Sequence, residues 1–373
     1  MLGCGYVGSV LAIHLSRNMP SAAIVISDED DQAIEKVIRS SKNRNVTSTS
    51  LHFDDYSKLV KTAEEFDVLV GLVPGRLGFD TVKAAIESGT DMVDLSYMQE
   101  DPFTLNRQAL NAGVTIVPDC GVAPGLSNIL VGRAVSMFDE VKEVTVLVGG
   151  LPQRHVPPLN YKITWSLEDL IEEYVRKAKV VRDGEMIEVE ALDGLEEVEF
   201  PGVGRLEAFY TDGVRTLHHT VKNVVNMWEK TLRYPGHAEK IRLLRELGFF
   251  DESPMGASPR SMTLKVLERK LSMPEVKDLV ALRVAVNGIT GGREVRYSYR
   301  LLDYYDEEGG VTAMGRTTAY TASAVVQLLA RREIEEKRIV PPERLGMNEP
   351  IFSKIITDLE RDGITITEFV EGI

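Results

Sequence analysis

The sequence predicts an α/β protein in which a doubly wound parallel sheet is interrupted by an inserted α+β domain. Over the first third of the 373-residue chain, β-branched runs alternate with helical periods, a pattern typical of parallel strands joined by helices. Beyond residue 143, hairpin-like pieces replace that alternation. The third observation is the spacing of Gly3, Gly5 and Gly8, which fits the G-x-G-x-x-G fingerprint of a dinucleotide-binding loop.

Six strands are expected in the first third, and they set the order of the sheet. The first lies just ahead of Gly3, and the others lie within residues 22–27, 49–55, 67–73, 91–96 and 114–120. The helix before the last strand begins with Asp101 as N-cap and Pro102 in its first turn, and it ends at Gly113. Six strands with helices between them suit a Rossmann-type dinucleotide fold.

The rest of the chain is predicted to form the inserted domain and then to return to the first one. A hairpin turns at Asp183-Gly184, and a ribbon over residues 279–305, the expected self-complementary edge, turns near Gly291-Gly292. Residues 161–166 are predicted as a strand and residues 317–336 as the returning helix. We therefore expect a nucleotide-binding domain of residues 1–125 plus about 312–373, and a substrate-binding and dimerisation domain of residues 126–311.

Composition excludes several classes of function. The formal net charge is −14, which disfavours nucleic acid because phosphate neutralisation needs clustered Lys and Arg. No apolar run approaches the roughly 18 residues of a membrane span, and the first residues lack the regions of a secretory signal. Cys4 and Cys120 give neither a disulfide framework nor a metal-ligand spacing. We expect a cytoplasmic protein that binds no nucleic acid, membrane or metal.

The glycine loop and the acid after the second strand predict the cofactor. The following helix begins at Tyr6 and Val7, and its N-terminus offers free N–H groups and a positive dipole end to a pyrophosphate. Asp28 stands 20 residues after Gly8, where a carboxylate binds the ribose hydroxyls and repels a 2′-phosphate. NAD is therefore favoured over NADP, and the alternative role of Asp28 is a helix cap.

Two features near the loop carry further expectations. Only Met1 and Leu2 precede Gly3, although a strand is needed there to pair the backbone groups of its neighbours. We therefore expect an apolar strand upstream of Leu2 in the natural protein. Asp54 and Asp55 either border the adenine or cap the next helix.

Polar and aromatic residues farther along the chain are candidates for contacts with the substrate. Asp119 ends the sixth strand, and ligands of open α/β sheets lie beyond the carboxyl ends of the strands. In the inserted domain, Trp165 either walls a cationic substrate or packs in the core. Arg233 is a candidate for a substrate carboxylate, and His219 and His237 are either proton shuttles or structural histidines.

Longer motifs in the chain resemble those of the saccharopine dehydrogenase-like family, and within it those of the L-lysine 6-dehydrogenases. The matching stretches run through nearly the whole chain, and they include "DCGVAPGLSNIL", "TLRYPGH", "GCGYVG", "LVPGRLGFDTVKAAIESGTDMVDLSYM", "PPLNYKITWSLEDLIEEY" and "IVPPERLGM". The resemblance implies a Rossmann domain interrupted by an insert that carries substrate contacts and usually a dimer interface. We therefore expect a homodimer that acts on a small amino-acid substrate.

The resemblance also implies contacts along an NAD molecule. It places Gly3, Gly5, Tyr6 and Val7 on the pyrophosphate, Asp28 on the ribose, Val73 and Pro74 along the cofactor and Ser96 near the nicotinamide.

The implied reaction is oxidative deamination of L-lysine, which removes hydride from the ε-carbon and gives allysine, or piperideine-6-carboxylate after cyclisation. The amine must be neutral to lose hydride, so a base near its nitrogen is required. The candidate bases are Asp119 and, if burial lowers its pKa, Lys162. The candidates for substrate contacts are Arg233, for the α-carboxylate, and His237, Tyr97 and Trp165.

Other functions stay open at this point. Saccharopine carries three carboxylates, so a saccharopine dehydrogenase needs several converging cations, for which the chain offers Arg154, His155, Arg233 and His237. A carboxynorspermidine-type substrate is a further alternative. From another class, the chain is a non-catalytic regulatory protein that binds NAD.

Overall fold

The computed structural model of the protein describes residues 1–51, 53, 55–253 and 258–372. The chain divides into two compact units. The first unit comprises Met1–Arg133 and Gly315–Gly363, and the second comprises Ala134–Met314 and the segment that begins at Ile364. Among the described residues, no helix has the length and apolarity that crossing a bilayer requires.

The helices are α1 (Tyr6–Asn18), α2 (Asp31–Ser40), α3 (Tyr56–Ala63), α4 (Gly75–Glu87), α5 (Asn106–Ala112), α6 (Leu126–Val135), α7 (Leu167–Val175), α8 (Leu217–Thr220), α9 (His237–Glu246), α10 (Pro259–Leu271), α11 (Ala313–Ala330), α12 (Pro342–Met347) and α13 (Glu349–Arg361). The strands are β1 (Ile24–Ile26), β2 (Val46–Ser48), β3 (Val68–Gly71), β4 (Asp91–Asp94), β5 (Ile116–Val117), β6 (Glu140–Pro152), β7 (Ala178–Arg182), β8 (Glu185–Val189), β9 (Glu196–Phe200), β10 (Gly204–Tyr210), β11 (Asn226–Arg233), β12 (Asp278–Thr290), β13 (Arg293–Tyr304) and β14 (Ile366–Gly372).

The first unit contains the parallel strand order of a dinucleotide-binding fold. β2 pairs with β1, β3 with β4 and β4 with β5, all in parallel. Leu2 lies between β1 and β3, with parallel bridges to Ser27 and to Gly71. Beyond β5, Ile339 forms a parallel bridge to Ile116. The order β2, β1, Leu2, β3, β4, β5 and Ile339 confirms the predicted fold class.

Met1 and Leu2 supply the backbone pairing at the centre of this sheet. The Leu2 N–H donates to the Val70 carbonyl at 2.8 Å, and the Leu72 N–H donates to the Leu2 carbonyl at 2.8 Å. On the other side, the Ser27 N–H donates to the Met1 carbonyl at 3.0 Å. At this level of the sheet both neighbouring strands are therefore paired, and the strand expected upstream of Leu2 stays a prediction.

The second unit is built on an antiparallel-rich sheet that has nine strands among the described residues. Its order is β14-β13-β12-β6-β11-β10-β9, with β7 against β11 and β8 against β7. β12 and β13 form the predicted ribbon. Its turn residues Gly291 and Gly292 have φ of 56° and 75°, values that glycine adopts without strain. β7 and β8 form the hairpin predicted at Asp183-Gly184.

The unit boundaries differ from the expected ones at 125 and about 312. α6 stays with the first unit up to Arg133, because it packs closely on α12. A Cβ at Gly132 would lie 2.0 Å from the Glu343 carbonyl oxygen, and one at Gly346 would lie 1.9 Å from the Ile129 carbonyl oxygen. The last residues leave the first unit because β14 pairs antiparallel with β13.

Three local predictions also differ from the structure. β14 covers β13, so the ribbon over 279–305 is not the free edge that was expected. Residues 161–166 form no strand. Both alternating sets of their side chains are buried from Tyr161 to Thr164, because this irregular segment lies inside the second unit. The third strand is β2 at Val46–Ser48, ahead of the predicted residues 49–55.

Helices α7, α9 and α10 enclose a core of the second unit. Its buried members include Tyr161, Tyr174, Phe209, Ile241 and Leu267, and Trp165 packs against them from a partly exposed position. This core places the Tyr161–Trp165 segment beside α7 and the start of α9, which is where the candidate substrate residues of this unit lie.

Candidate functional site

The glycine loop leaves open space at one of its three glycines. Gly3 has φ of 107°, and a Cβ there would lie 2.5 Å from the Leu72 carbonyl oxygen. A Cβ at Gly8 would lie 2.4 Å from the Gly3 carbonyl oxygen, whereas one at Gly5 would meet nothing within 4 Å. Close packing therefore requires glycine at Gly3 and Gly8, and the space over Gly5 is where backbone can approach a pyrophosphate.

The N-terminus of α1 has free donors beside that space. Gly5 is its N-cap, and no described side chain caps the helix. The first helical hydrogen bond runs from the Ser9 N–H to the Gly5 carbonyl at 3.1 Å, so the N–H groups of Tyr6 and Val7 have no partner within the helix. This end of α1 is suited to an anionic group.

Asp28 follows β1 and lies against the same loop. One carboxylate oxygen accepts a hydrogen bond from the Cys4 N–H, and the other accepts one from the Asp30 N–H at 2.9 Å. The N-cap of α2 is Asp30, which accepts from the Gln32 and Ala33 N–H groups. Asp28 is therefore not that cap, and its carboxylate is held beside the loop, where a ribose would bind.

Asp54 and Asp55 are predicted either to border the adenine or to cap the next helix. Asp55 is the N-cap of α3, and its carboxylate accepts from the Lys58 N–H at 3.1 Å. Asp54 lies outside the described residues. The capping role is therefore the one that Asp55 has.

The carboxyl ends of β3 and β4 bring Asp94 and Ser96 against two glycines. The Ser96 hydroxyl donates to the Asp94 carboxylate at 2.5 Å. A Cβ at Gly71 would lie 2.1 Å from Asp94 Oδ1, and one at Gly78 would lie 2.0 Å from Ser96 Oγ. Gly78 therefore allows α4 to approach this edge of the sheet closely, and Gly71 of β3 leaves room for the Asp94 carboxylate.

Asp119 begins the tight loop between β5 and α6. It is buried, and its φ of 54° lies in the left-handed region that residues other than glycine rarely adopt. The next N–H, that of Cys120, donates to the Asp94 carbonyl at 2.9 Å, which ties the loop to β4. Cys120 is itself buried, and burial raises the pKa of its thiol, which is therefore neutral.

These features fit a dinucleotide at the carboxyl edge of the first unit's sheet. The open space over Gly5, the uncapped start of α1 and the carboxylate of Asp28 would hold its pyrophosphate and ribose. Val73 is buried and Pro74 is the N-cap of α4, directly after β3. Contacts of Val73, Pro74 and Ser96 with the cofactor stay predictions.

Lys162 is a buried amine in the second unit. Its Nζ donates to the Val276 carbonyl at 2.5 Å. Burial lowers the pKa of Lys162, against the opposing charges of Asp278 and Glu275. A lowered pKa is what a lysine needs to accept a proton near neutral pH. Asp119 belongs to the other unit, and the choice between the two bases stays open.

Arg233, at the end of β11, is buried and already ion-paired. Its Nη2 lies 2.9 Å from Glu173 Oε2, and its Nη1 donates to the Leu232 carbonyl at 3.0 Å. The guanidinium carbon lies 4.8 Å from the centre of the Tyr161 ring. Burial acts to lower the pKa of Arg233, but Tyr174 and Glu173 outweigh burial and raise it. The predicted receptor of a substrate carboxylate therefore already holds a carboxylate of the protein.

His237 has both ring nitrogens engaged by protein groups. Its Nδ1 lies 2.8 Å from the Leu159 carbonyl, so Nδ1 carries the proton and donates. Its Nε2 then accepts from the Tyr174 hydroxyl at 2.9 Å. Burial lowers the pKa of His237 to about 3. The neutral, fully bonded ring favours the structural interpretation of His237 over proton transfer, and its contact with substrate stays a prediction.

The predicted residues fall into two groups by unit. Tyr97 and Asp119 belong to the first unit, together with the cofactor candidates, whereas Lys162, Trp165, Arg233 and His237 belong to the second. Arg233 and His237 are brought together, since the Tyr161 ring lies 5.8 Å from that of His237 and also faces Arg233.

Sequence reasoning missed Glu173 and Asp94. Glu173 stands in the run "LEDLIEEYV" of α7, where an acid is usually solvent-facing. The helical phase is only a weak signal, because it places Glu173 at the edge of the apolar face, with Leu170 and Tyr174 both on one side of it at i−3 and i+1. Asp94 ends a predicted strand, so its position at the carboxyl edge was available from the pattern.

Comparisons with known proteins agree with this architecture. The family model described as the saccharopine dehydrogenase NADP binding domain matches residues 1–117, and the one described as the saccharopine dehydrogenase C-terminal domain matches residues 121–364. An apo structure of saccharopine dehydrogenase (L-Glu forming) from Saccharomyces cerevisiae superposes with a TM-score of 0.79, covering 99% of this chain and 98% of that one at 17% identity. That likeness concerns the fold.

Two curated relatives are similar to parts of this chain. Saccharopine dehydrogenase [NADP(+), L-glutamate-forming] of Schizosaccharomyces pombe is 26% identical over 266 residues, which are 68% of this chain and 58% of the relative. The mitochondrial alpha-aminoadipic semialdehyde synthase of Mus musculus is 27% identical over 268 residues, which are 67% of this chain and 28% of the relative. The chain thus spans little more than half of the first relative and under a third of the second.

Proposed function

The chain belongs to the saccharopine dehydrogenase family, and from this premise we propose that it is a nicotinamide-dependent dehydrogenase of lysine metabolism. The proposed reaction takes hydride from the carbon that bears the amine nitrogen of L-lysine or of a lysine derivative. The observation that carries the proposal is the loop of the first unit, where Gly5 faces open space beside the uncapped N-terminus of α1. A family of dehydrogenases and a phosphate-binding loop together support an enzyme over a regulatory protein.

We propose NAD as the cofactor. The matching family model and the relative from Schizosaccharomyces pombe are described by NADP. In this chain, however, Asp28 holds its carboxylate against the glycine loop, where it would accept from ribose hydroxyls and repel a 2′-phosphate. The local charge therefore supports NAD in spite of the family description.

For the substrate, saccharopine is the first candidate, because the curated relatives are named for saccharopine dehydrogenase and aminoadipic semialdehyde synthase activities. L-Lysine is the second candidate, and one observation favours it. Of the four side chains offered for the three carboxylates of saccharopine, Arg233 is paired with Glu173 and His237 is neutral and fully bonded. A substrate with one carboxylate needs fewer cations.

In the proposed reaction, the chain's own residues accept a proton from the substrate amine. A bound nicotinamide would supply the hydride acceptor. Asp119 or Lys162 would take the proton that leaves the substrate amine neutral, a step that general-base catalysis accelerates by about 10²–10⁴-fold. Asp119 supports this role by its position after β5 at the carboxyl edge of the sheet, and Lys162 supports it by its lowered pKa.

A panel assay tests the proposal. NADH formation is followed at alkaline pH with L-lysine and with saccharopine, and each reaction is repeated with NADP. In the reverse direction, NADH oxidation that requires both allysine and glutamate identifies saccharopine, whereas NADH formation from lysine alone identifies L-lysine. A rise in melting temperature with NAD, without turnover of any amine, would point instead to a non-catalytic NAD-binding protein. The homodimer rests on the family resemblance, and sedimentation velocity tests it.

A further inference from the structure

We propose that Glu173 is a specificity-determining residue, because its carboxylate occupies the Arg233 guanidinium that one of the two additional carboxylates of saccharopine would otherwise reach. In this proposal Arg233 does not serve the α-carboxylate, which both substrates carry. The site would then discriminate against amino acids with additional carboxylates. This inference rests on the proposed function, since it concerns the choice between L-lysine and saccharopine. It adds a residue that neither the sequence pattern nor the relatives' names point to.

The contact itself is a charged pair of unequal exposure. Arg233 Nη2 and Glu173 Oε2 are 2.9 Å apart, and the side chains are 3% and 17% exposed respectively. Glu173 is therefore the less buried member of the pair, although burial still raises the pKa of its carboxyl group. A carboxylate of a ligand would have to displace Glu173 to make the same contact with Nη2.

Arg233 needs an anion in this environment. Its other neighbours include the Tyr161 ring, the Leu232 carbonyl and the Tyr174 hydroxyl, and none of these is a carboxylate. A buried guanidinium without a counter-charge is strongly unfavourable. The anion is supplied either by the protein or by the substrate, and in this chain α7 supplies it.

The pairing leaves one donor of the guanidinium unused. Among the described residues, Arg233 Nε is buried and has no hydrogen-bond partner. Arg–carboxylate pairs are frequently bidentate and then satisfy two donors at once, whereas the contact of Glu173 with Arg233 involves Nη2 alone. Without the Glu173 carboxylate, Nη2 and the unpartnered Nε would form the fork that a ligand's carboxylate can accept from.

The test is Glu173→Gln, with Glu172→Gln as the matched control. Glu172 is the adjacent acid of α7, and it is also ion-paired, 2.5 Å from Arg260, but it does not contact Arg233. We expect Glu173→Gln to raise the ratio of kcat/KM for saccharopine to kcat/KM for L-lysine by roughly tenfold or more, since bidentate carboxylate binding is strong. Glu172→Gln should leave the ratio unchanged.

A second measurement needs no turnover. About 0.2 M formate should raise the melting temperature of Glu173→Ala more than that of the wild type or of Glu172→Ala, because only Glu173→Ala removes both the charge and the volume that formate would replace beside Arg233. An unchanged substrate ratio in folded Glu173→Gln, together with no selective response of Glu173→Ala to formate, would overturn the inference.

The role of Glu173 can still be tested if the wild type shows no turnover or if Glu173→Gln does not fold. If the wild type turns over neither substrate, the proposed function fails. Calorimetric binding of saccharopine and L-lysine to the wild type and to Glu173→Gln then still tests the role of Glu173. If Glu173→Gln does not fold, Glu173→Asp keeps the charge but withdraws it by one methylene, and we expect a smaller rise of the same ratio. An unchanged ratio in Glu173→Asp would then count against the inference.

Discussion

Replacing Asp28 by Asn tests the proposed preference for NAD. The substitution removes one negative charge beside the glycine loop, and Asn can still accept one of the two backbone hydrogen bonds that the carboxylate receives from Cys4 and Asp30. The site should therefore keep its shape while it loses the repulsion of a 2′-phosphate. Asp30→Asn is the matched control, because it also removes one charge and Asn caps a helix as well as Asp does.

The expected magnitude follows from the charge separation. For a carboxylate about 6 Å from a doubly charged phosphate, Coulomb's law gives about 1.4 kcal/mol in a water-like medium and about 5.5 kcal/mol at an effective dielectric constant of about 20. Asp28 is half-buried, so a value near the lower limit, about 2 kcal/mol, is appropriate. That energy corresponds to roughly a 30-fold shift of relative affinity toward NADPH.

Fluorescence titration with NADH and NADPH measures the shift directly. The ratio of the two dissociation constants should change by roughly 30-fold in Asp28→Asn and by less than about threefold in Asp30→Asn. A wild-type protein that binds NADPH more tightly than NADH would refute the reasoning. An equal shift in both variants would show that general surface charge, not the position of Asp28, sets the preference.

Three further predictions follow from individual contacts. Gly5→Ala should weaken NADH binding but change the melting temperature by only about 1 °C, because its Cβ meets no atom. Gly8→Ala should also lower the melting temperature, because its Cβ would lie 2.4 Å from a backbone carbonyl oxygen. The pKa of His237 is lowered from 6.5 to about 3, so the unfolded chain binds a proton that the folded one does not, and stability falls as pH drops through that interval. Urea unfolding of His237→Gln should show a shallower loss between about pH 6 and 4, and an unchanged slope would contradict the assignment. Asp119→Asn should lower kcat by about 10²–10⁴-fold if Asp119 is the base. If Asp119→Asn instead keeps full turnover, and Lys162→Met loses the acidic limb of the pH profile, the base is Lys162.

Much of the first unit was predictable because its signals are local. The alternation of β-branched runs and helical periods specified the parallel sheet, and the glycine spacing specified the loop after Leu2. Even the roles of Gly3 and Gly8 follow from one loop and its immediate neighbours. The domain boundaries were less predictable. Gly132 and Gly346 show no periodic signal, although they set how closely α6 packs on α12.

The segment 161–166 shows why the second unit was harder to predict. Its alternation of large and polar residues is the pattern of a strand with one solvated face, but the structure buries both faces, and Lys162 reaches the Val276 carbonyl. The pattern of residue types in one segment does not show which distant parts of the chain will pack over it.

The sequence by itself determined the fold class, the glycine loop and the position of Asp28 after the second strand, because each depends on residues close together in the chain or on a simple period. Only the tertiary structure decided the state of the candidate substrate residues. It pairs Arg233 with Glu173, which lies 60 residues earlier in the sequence, and it gives both ring nitrogens of His237 a hydrogen-bond partner. The charge and hydrogen-bonding capacity of a buried side chain are set by the groups packed around it, and those partners come from other elements of the fold.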